Sequence, residues 1–174
     1  MITLAEVARR SLQYPPAVFT GISELDRVLY HGIAQGLVTE ICGLLGSGRS
    51  SILLHIAAAN LENPNVHIIF VDFKKDIYMD RLKLFIQKHP WGCIANLSED
   101  VLPRVNICRF TVVQEFLEFL EADLEKMIIE IRSKSQTSII ILLIDNIALP
   151  FKWWTDLQPG DMIAAVKRIS HQIR

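Results

Sequence analysis

The sequence predicts an α/β fold with a mostly parallel sheet flanked by helices, and three features of the chain predict it. A glycine-rich loop, Cys42–Ser51, stands between an apolar strand candidate at Leu37–Ile41 and a helix candidate at Ser51–Ala59. Two further apolar runs, Val66–Asp72 and Ile139–Asp145, each end in a carboxylate. Helical patterns separate these runs, and strands that alternate with helices are typical of parallel sheets.

The glycine-rich loop has a spacing that is typical of phosphate binding. It reads G-x-x-x-x-G-R-S from Gly43 to Ser50, with an extra glycine at Gly46. Glycines let successive backbone N–H groups surround phosphate oxygens, and the start of the following helix adds positive potential. Arg49 stands where a lysine normally reaches the β- and γ-phosphates, and Ser50 stands where a hydroxyl reaches Mg²⁺. A glycine-rich turn without a ligand is the alternative reading. The predicted nucleotide-contacting residues of the loop are Gly43, Leu44, Leu45, Gly46, Ser47, Gly48, Arg49, Ser50 and Ser51.

The bulk composition is typical of a single globular domain in a reducing compartment. Apolar residues make up 51% of the 174 residues, and the formal net charge of −1 gives no hint of a general nucleic-acid or membrane-surface binder. The 3 cysteines have no C-x-x-C spacing and the 5 histidines have no ligand spacing, so neither set predicts a metal site. The longest apolar run, Ile139–Ile144, is too short to cross a bilayer. We expect a cytosolic or nuclear protein.

The remaining elements follow from local patterns. A short helix is predicted at Met1–Leu12, which stops before Pro15. Ser23 is predicted to be the N-cap of a second helix and to form a capping box with Asp26. Further helices are predicted at Ile77–Lys88 and after Pro159, and a further strand is predicted at Val105–Phe110. The run Ile139–Ile144 is typical of a central parallel strand that is buried on both faces.

The strongest helix signal in the chain follows Phe110. Thr111 and Gln114 form a second predicted capping box. The residues of the apolar stripe recur at steps of three and four: Val113, Phe116, Leu117, Leu120, Leu124, Met127, Ile128 and Ile131. Such a stripe serves a coiled-coil partner or the domain's own sheet, and we favour the sheet.

A second part of the nucleotide site is predicted at the ends of two strands. Asp145 closes a hydrophobic strand, which is where phosphate-loop proteins place the acid that holds Mg²⁺ indirectly. Asp72 closes another strand and is either a contributor or a turn former. Hydrolysis also needs a group that orients the attacking water, but Lys74 and Lys75 follow Asp72 before the next carboxylate at Asp76.

Four segments together carry a family resemblance. They are TGISELD at Thr20–Asp26, HGIAQGLVTEICG at His31–Gly43, FVDFKKDIYMDRL at Phe70–Leu82 and LLIDNIAL at Leu142–Leu149. These segments resemble the ATPase core of the eukaryotic RecA-like strand-exchange recombinases. The chain looks closer to the recombinase paralogues, particularly to the D-type branch and to Shu-complex-like subunits, than to the recombinase itself. The resemblance implies an N-terminal helix and linker at residues 1–19 and a RecA-like P-loop NTPase core at residues 20–174.

The resemblance also implies roles for individual residues. It makes Gly43–Ser51 the Walker A loop and Asp145 the Walker B acid, so that ATP and Mg²⁺ are the implied cofactors and Ser50 and Asp145 the implied metal-holding residues. Arg81 matches the arginine that stacks on adenine. Lys74 falls on the family's water-orienting glutamate, and a protonated amine cannot act as a base. We therefore expect weak nucleotide binding at best and little or no ATPase activity.

The expected partners follow from the same resemblance. The family's first DNA-contact loop falls on Lys152–Gly160, whose single lysine and single aspartate would follow a phosphate backbone poorly. Trp153 and Trp154 would stack on bases, anchor a partner or cover the domain's own edge. The family's second DNA loop has no counterpart before Arg174, so we expect a core that is truncated at its C-terminus. The resemblance implies a nuclear protein that joins another recombinase paralogue in a heteromer, with DNA reached mainly through that complex and with no membrane contact. Met1–Tyr14 and the tryptophan loop are the expected contact surfaces.

Three functions are open at the level of sequence. The first is an accessory recombinase-paralogue subunit with a degenerate ATP site, which assists the strand-exchange recombinase in homologous recombination and DNA repair. The second is an active DNA-dependent P-loop ATPase, or a small kinase, although a kinase would need a basic lid that the chain does not offer. The third is an assembly scaffold that binds no nucleotide. Titration with a fluorescent nucleotide, with and without Mg²⁺, separates the three.

Overall fold

The computed structural model describes residues 16–29, 32–75, 77, 79–89, 92 and 97–149. The strands are β1 (Pro16–Val18), β2 (Ile33–Ala34), β3 (Val66–Asp72), β4 (Val105–Arg109) and β5 (Ile139–Asp145). The helices are α1 (Ser23–Val28), α2 (Arg49–Asn60), α3 (Met79–Gln87), α4 (Val113–Glu118) and α5 (Leu124–Lys134), with short helical turns at Leu97–Val101 and Leu102–Arg104. The predicted helix at Met1–Leu12, the helix after Pro159, and Trp153 and Trp154 lie outside the described residues.

The main sheet confirms the predicted α/β architecture. β3 lies between β4 and β5 and pairs in parallel with both, so that the order is β4-β3-β5. In register, Asp72 lies opposite Asp145 on one side and opposite Arg109 on the other. Because parallel strands place their carboxyl ends at the same edge, the strand-ending side chains gather there. β1 and β2 form a separate antiparallel pair, and the buried Asn60 of α2 connects to it by accepting from the Phe19 N–H and donating to the Phe19 carbonyl.

Helices cover both faces of this sheet. On one face Ile68 and Phe70 of β3 pack in a buried cluster with side chains of α2 and α3. On the other face Ile69 and Val71 pack in a second cluster with α4 and α5. The alternation along β3 is the period of two expected for a strand that is buried on both faces. Two apolar layers around a parallel sheet match the RecA-like core expected from the sequence motifs.

The long predicted helix is present and packs on the domain's own sheet. α4 and α5 are joined by a π-helical turn at Phe119–Asp123, and the predicted stripe residues are buried or partly buried in the second cluster. The π turn adds Phe119 to the core, where it packs against Phe110 with ring centroids 5.1 Å apart. The predicted capping box at Thr111 is wrong, because the N-cap is Val112 and has no side-chain bond. The Thr111 N–H instead donates to the Glu115 carboxylate, while the Gln114 amide donates to Glu118.

The predicted capping box at Ser23 is also wrong, because the N-cap of α1 is Ile22 and no side chain caps it. The Ser23 hydroxyl donates to Glu24, its neighbour, and does not cap α1. The buried Thr20 does not cap the helix either: its Oγ1 accepts from the N–H of Ile22, the N-cap residue itself, at 3.2 Å and so shapes the turn before α1. The Asp26 carboxylate accepts from the Thr20 N–H at 2.7 Å and so holds the chain that precedes α1.

Two strand predictions need correction in the part of the chain that the structure describes. Leu37–Ile41 forms no strand there: Ile41 packs against the core, whereas Leu37 and Val38 are 39% and 66% exposed. β5 lies at an edge of the described sheet, not at its centre, and its burial alternates between buried and partly buried residues. Apolar and β-branched residues form a strand only where a neighbouring strand supplies hydrogen-bond partners for the backbone. In the described residues no strand pairs with the side of β5 that faces away from β3.

One arginine closes the end of the core opposite the carboxyl edge. Arg104 donates to the carbonyls of Leu61, Asn63, Val66 and Asp100 at 2.7 to 2.9 Å. These carbonyls belong to the turn after α2, the start of β3 and a helical turn, which the guanidinium ties together. A groove of ≈ 530 Å³ beside it is lined partly by Glu62 and Arg104, and it lies away from the glycine-rich loop. Among the described helices, none has the length and apolar character to span a membrane.

Candidate functional site

The glycine-rich loop turns sharply at two glycines before α2 begins. Gly46 and Gly48 have φ angles of 79° and 85°, in the left-handed region that favours glycine, and a Cβ at either position would meet nothing within 4 Å. At Gly43 a Cβ would lie 2.5 Å from the Ser47 hydroxyl, so any larger residue there would require the Ser47 side chain to move. The loop therefore keeps an open outer face that a ligand can approach.

The first turn of α2 presents the polar end of the loop. Gly48 is the N-cap, and Arg49, Ser50 and Ser51 begin the helix, which has 12 residues and no acid in its first turn. The partial positive charge of this helix end is therefore not neutralised from within. The Arg49 side chain folds back over the loop, with its Cδ 3.8 Å from where a Cβ on Gly43 would lie. Leu44 and Leu45, also predicted to contact nucleotide, are 85% and 95% exposed at the tip.

The two predicted metal-holding residues meet around a lysine. The Lys74 ammonium lies 3.2 Å from Asp145 Oδ1, and it donates to Ser50 Oγ at 3.4 Å. The Asp145 side chain is only 4% exposed, whereas that of Lys74 is 23% exposed. The fold thus places Ser50 and Asp145 within hydrogen-bond distance of the same group, the Lys74 ammonium, which bridges them.

This arrangement does not fit a Mg²⁺ ion held between Ser50 and Asp145. Mg²⁺ requires near-octahedral oxygen ligands at about 2.0–2.1 Å, and a lysine ammonium at the same point repels it. The second carboxylate oxygen of Asp145 is buried and accepts no hydrogen bond from the described residues. Within the same residues no cluster of three or more His, Cys, Asp or Glu side chains could hold a metal. The Mg²⁺ role of Ser50 and Asp145 stays a prediction, and it requires the Lys74 side chain to move away from both residues.

Arg81 lies beside the start of α2. Its Nη2 donates to Ser51 Oγ at 3.3 Å, which places the guanidinium of α3 against the helix that follows the loop. Arg81 is partly buried, so its position depends on how α3 packs on α2. Its predicted stacking on adenine stays a prediction.

Asp72 has a structural task next to the site. Its fully buried carboxylate accepts the Ile77 N–H at 3.0 Å and lies 3.6 Å from the Arg109 Nε. Between these anchors the chain turns through Lys75, whose φ of 59° is left-handed. Asp72 therefore shapes the turn that carries Lys74, in line with the turn-former reading. Sequence reasoning missed Arg109, because only the strand register brings it opposite Asp72.

The cysteine thiols of the described chain are poor nucleophiles. The Glu40 carboxylate, which accepts a hydrogen bond from the thiol and repels the thiolate, raises the pKa of Cys42 beside the loop. Burial raises the pKa of the Cys108 thiol on β4. Because the thiolate is the reactive form, neither group suits covalent chemistry at neutral pH.

Comparisons with known proteins find similar chains among DNA repair proteins. The mouse protein named DNA repair protein RAD51 homolog 4 is 27% identical over 128 residues, which are 74% of this chain and 38% of that protein. Its bovine counterpart is 26% identical over 129 residues, 74% of this chain and 39% of that protein. The DNA repair protein RadA of Haemophilus influenzae is 43% identical over 61 residues, 35% of this chain and 13% of that protein.

The chain is similar to RecA-like recombinase proteins. This similarity supports the family that the sequence motifs indicated, while the assignment to a D-type or Shu-complex-like subunit stays a prediction. The chain spans about two fifths of the length of the mouse and bovine relatives. No protein-family model matches it.

Proposed function

We propose that the chain is an accessory recombinase-paralogue subunit that acts in homologous recombination and DNA repair. Its similarity to DNA repair proteins from mouse, cattle and a bacterium supports the process. The single observation that carries the accessory role is the Lys74 ammonium, which lies 3.2 Å from Asp145 in the position where the family's water-orienting glutamate is expected.

The Lys74 contact argues against turnover by this chain. A protonated ammonium donates hydrogen bonds and accepts none, so it cannot draw a proton from an attacking water. The same ammonium pairs with the Asp145 carboxylate, so this acid of the candidate site is engaged as well. The chain therefore acts through binding and assembly, and nucleotide turnover belongs to a partner.

The loop supports weak nucleotide binding. Its open outer face, the N-terminus of α2 and the guanidinium groups of Arg49 and Arg81 are all suited to the phosphates and base of ATP. Arginine is longer and planar, so it fits poorly in a loop shaped for the point charge of a lysine. ATP is accordingly proposed as a weak ligand.

The partner is proposed to be another recombinase paralogue in the nucleus. Exposed apolar side chains lie in and before the loop, at Leu37, Val38, Leu44 and Leu45. Exposed apolar surface next to a nucleotide site is suited to contact with a second protein. The net charge of −1 favours DNA binding mainly through that partner, since phosphate contacts require basic side chains.

Co-expression with candidate paralogues tests this function. The chain should form a stoichiometric complex in size-exclusion chromatography with one paralogue, and the complex should bind single-stranded DNA more tightly than the chain alone at low and at high salt. The double variant Leu44→Ser/Leu45→Ser should weaken the complex, and Leu84→Ser, an exposed leucine on α3, is the matched control. A stable monomer that binds single-stranded DNA by itself with a steep salt dependence would contradict the proposal.

A nucleotide-free assembly scaffold is the second candidate. The observation that favours it is the hydrogen-bonded set of Lys74, Asp145 and Ser50, in which the Lys74 ammonium engages both Ser50 and one oxygen of Asp145 without any ligand. A fluorescent ATP analogue decides between the two. Saturable binding that ATP competes away supports the accessory subunit with a degenerate site, and no binding by the chain or by its complex supports the scaffold.

A further inference from the structure

We propose that the Lys74 ammonium is a built-in cation that replaces Mg²⁺, so that this loop binds a nucleoside polyphosphate without a divalent metal. The inference rests on the proposed nucleotide site and names the ionic form of its ligand. In the loop-and-acid arrangement predicted from the sequence, Mg²⁺ would stand between the Ser50 hydroxyl and the Asp145 carboxylate. In the structure the Lys74 Nζ stands between them, at 3.4 and 3.2 Å.

The donor count of Lys74 leaves capacity for a ligand. A lysine ammonium has three N–H donors. Ser50 and Asp145 take two of them among the described residues, and a third can reach a phosphate oxygen. A single cation can in this way contact the helix hydroxyl, the strand-end acid and the phosphate chain.

The turn that carries Lys74 is held on both sides. Before it, Phe73 is buried and packs edge-on against Phe116, with ring centroids 5.0 Å apart. After it, the Ile77 N–H donates to the buried Asp72 carboxylate at 3.0 Å. The backbone of Lys74 is therefore fixed relative to the sheet, and its side chain is directed to the carboxyl edge where Asp145 lies.

The charges around the loop suit a metal-free polyphosphate. Lys74 neutralises Asp145, the acid that would otherwise repel phosphate. Arg49 at the start of α2 and Arg81 beside Ser51 then supply positive charge, together with the uncompensated N-terminus of the helix. A bound Mg²⁺ would reduce the negative charge of the ligand and would meet the Lys74 ammonium at close range.

Titration of the 174-residue chain with a fluorescent ATP analogue, in excess EDTA and in excess Mg²⁺, tests the inference. Binding in EDTA should be as tight as binding in Mg²⁺ or tighter. Lys74→Met keeps the length of the side chain and removes its charge, so binding in EDTA should weaken by about tenfold. Added Mg²⁺ should then recover part of that loss, because Ser50 and Asp145 become accessible to the ion. Lys75→Met, at the exposed neighbouring lysine, is the matched control and should bind like the parent chain in both conditions.

The outcomes separate this inference from the proposed function. If the parent chain binds only in the presence of Mg²⁺, the built-in cation is wrong, while an accessory nucleotide-binding subunit stands. If neither the chain nor its complex binds in either condition, both the nucleotide site and the inference fail, and the scaffold stands. Circular dichroism and the thermal midpoint of Lys74→Met verify that it folds, and the comparison of EDTA with Mg²⁺ in the parent chain decides the question without any variant.

Discussion

The Lys74 ammonium lies 3.2 Å from the Asp145 carboxylate, across two neighbouring parallel strands of the sheet. Asp145 ends β5, and Lys74 stands two residues beyond the end of β3, so the strand register brings the two side chains together. Because the Lys74 ammonium also donates to Ser50 at the start of α2, it joins the loop helix to the carboxyl edge of the sheet. The predictions that follow test what this arrangement allows and which contacts hold it in place.

ATP hydrolysis by the purified chain is expected to stay at background. The proposed function places the Lys74 ammonium where a water-orienting carboxylate is expected, and without that carboxylate transition-state assistance of several kcal/mol would be missing. Asp145→Ala should leave this background rate unchanged in a phosphate-release assay with Mg²⁺. Steady hydrolysis that Asp145→Ala abolishes would restore the reading of an active ATPase.

Arg49→Lys is expected to tighten nucleotide binding by about threefold to tenfold, because a lysine ammonium matches the shape of the loop better than a planar guanidinium. Equilibrium titration with a fluorescent ATP analogue measures the change. Arg27→Lys on the exposed end of α1 is the matched control and should have no effect. If neither Arg49→Lys nor Asp145→Ala alters binding, the loop has a structural role and the scaffold function is favoured.

Arg104→Ala is expected to destabilise the fold by about 2–4 kcal/mol, because it removes four charge-assisted hydrogen bonds and leaves partly buried carbonyls unsatisfied. Urea unfolding followed by circular dichroism measures the free energy of unfolding. Arg132→Ala, at an exposed position on α5, should change it by less than about 0.5 kcal/mol. Equal stability of the two variants would show that the Arg104 contacts contribute little.

The free energy of unfolding is expected to fall as the pH is lowered through about 6.5. Burial lowers the pKa of His55 below 6.5, and the charges of His89 and Lys88 lower it further. The unfolded chain therefore takes up a proton at a higher pH than the folded chain, so acid favours unfolding. The contribution of His55 to the free energy of unfolding is fully present above the pKa of this histidine in the unfolded chain. It is lost as the pH falls through the lower pKa of His55 in the folded chain.

The variant His55→Gln should reduce this pH dependence between pH 7 and pH 5, as measured by urea unfolding at each pH. His67→Gln should reduce it separately, because burial and then Arg104 and Lys134 lower the pKa of His67 as well. An identical pH slope in His55→Gln and the parent chain would contradict the assignment to His55.

Much of the fold could be predicted from the sequence because the decisive patterns are local or periodic. β3 has the predicted bounds, and β4, α3 and the long helical region lie where periodicity placed them. The loop glycines were predicted to let the backbone curl, and Gly46 and Gly48 have left-handed φ angles. Both capping-box predictions were wrong, since whether a hydroxyl caps a helix depends on competing hydrogen-bond partners that the local pattern does not reveal.

The sequence by itself determined the α/β class, the phosphate-loop spacing and the presence of Lys74 where a carboxylate was expected. Only the tertiary structure decided that Leu37–Ile41 forms no strand in the described chain, that Asp72 supports a turn, and that Lys74 reaches both Ser50 and Asp145. The physical reason is the range of the interactions. Backbone preferences and apolar periodicity act over a few neighbouring residues, whereas Lys74 and Asp145 are 71 positions apart and meet only after two parallel strands pair in register.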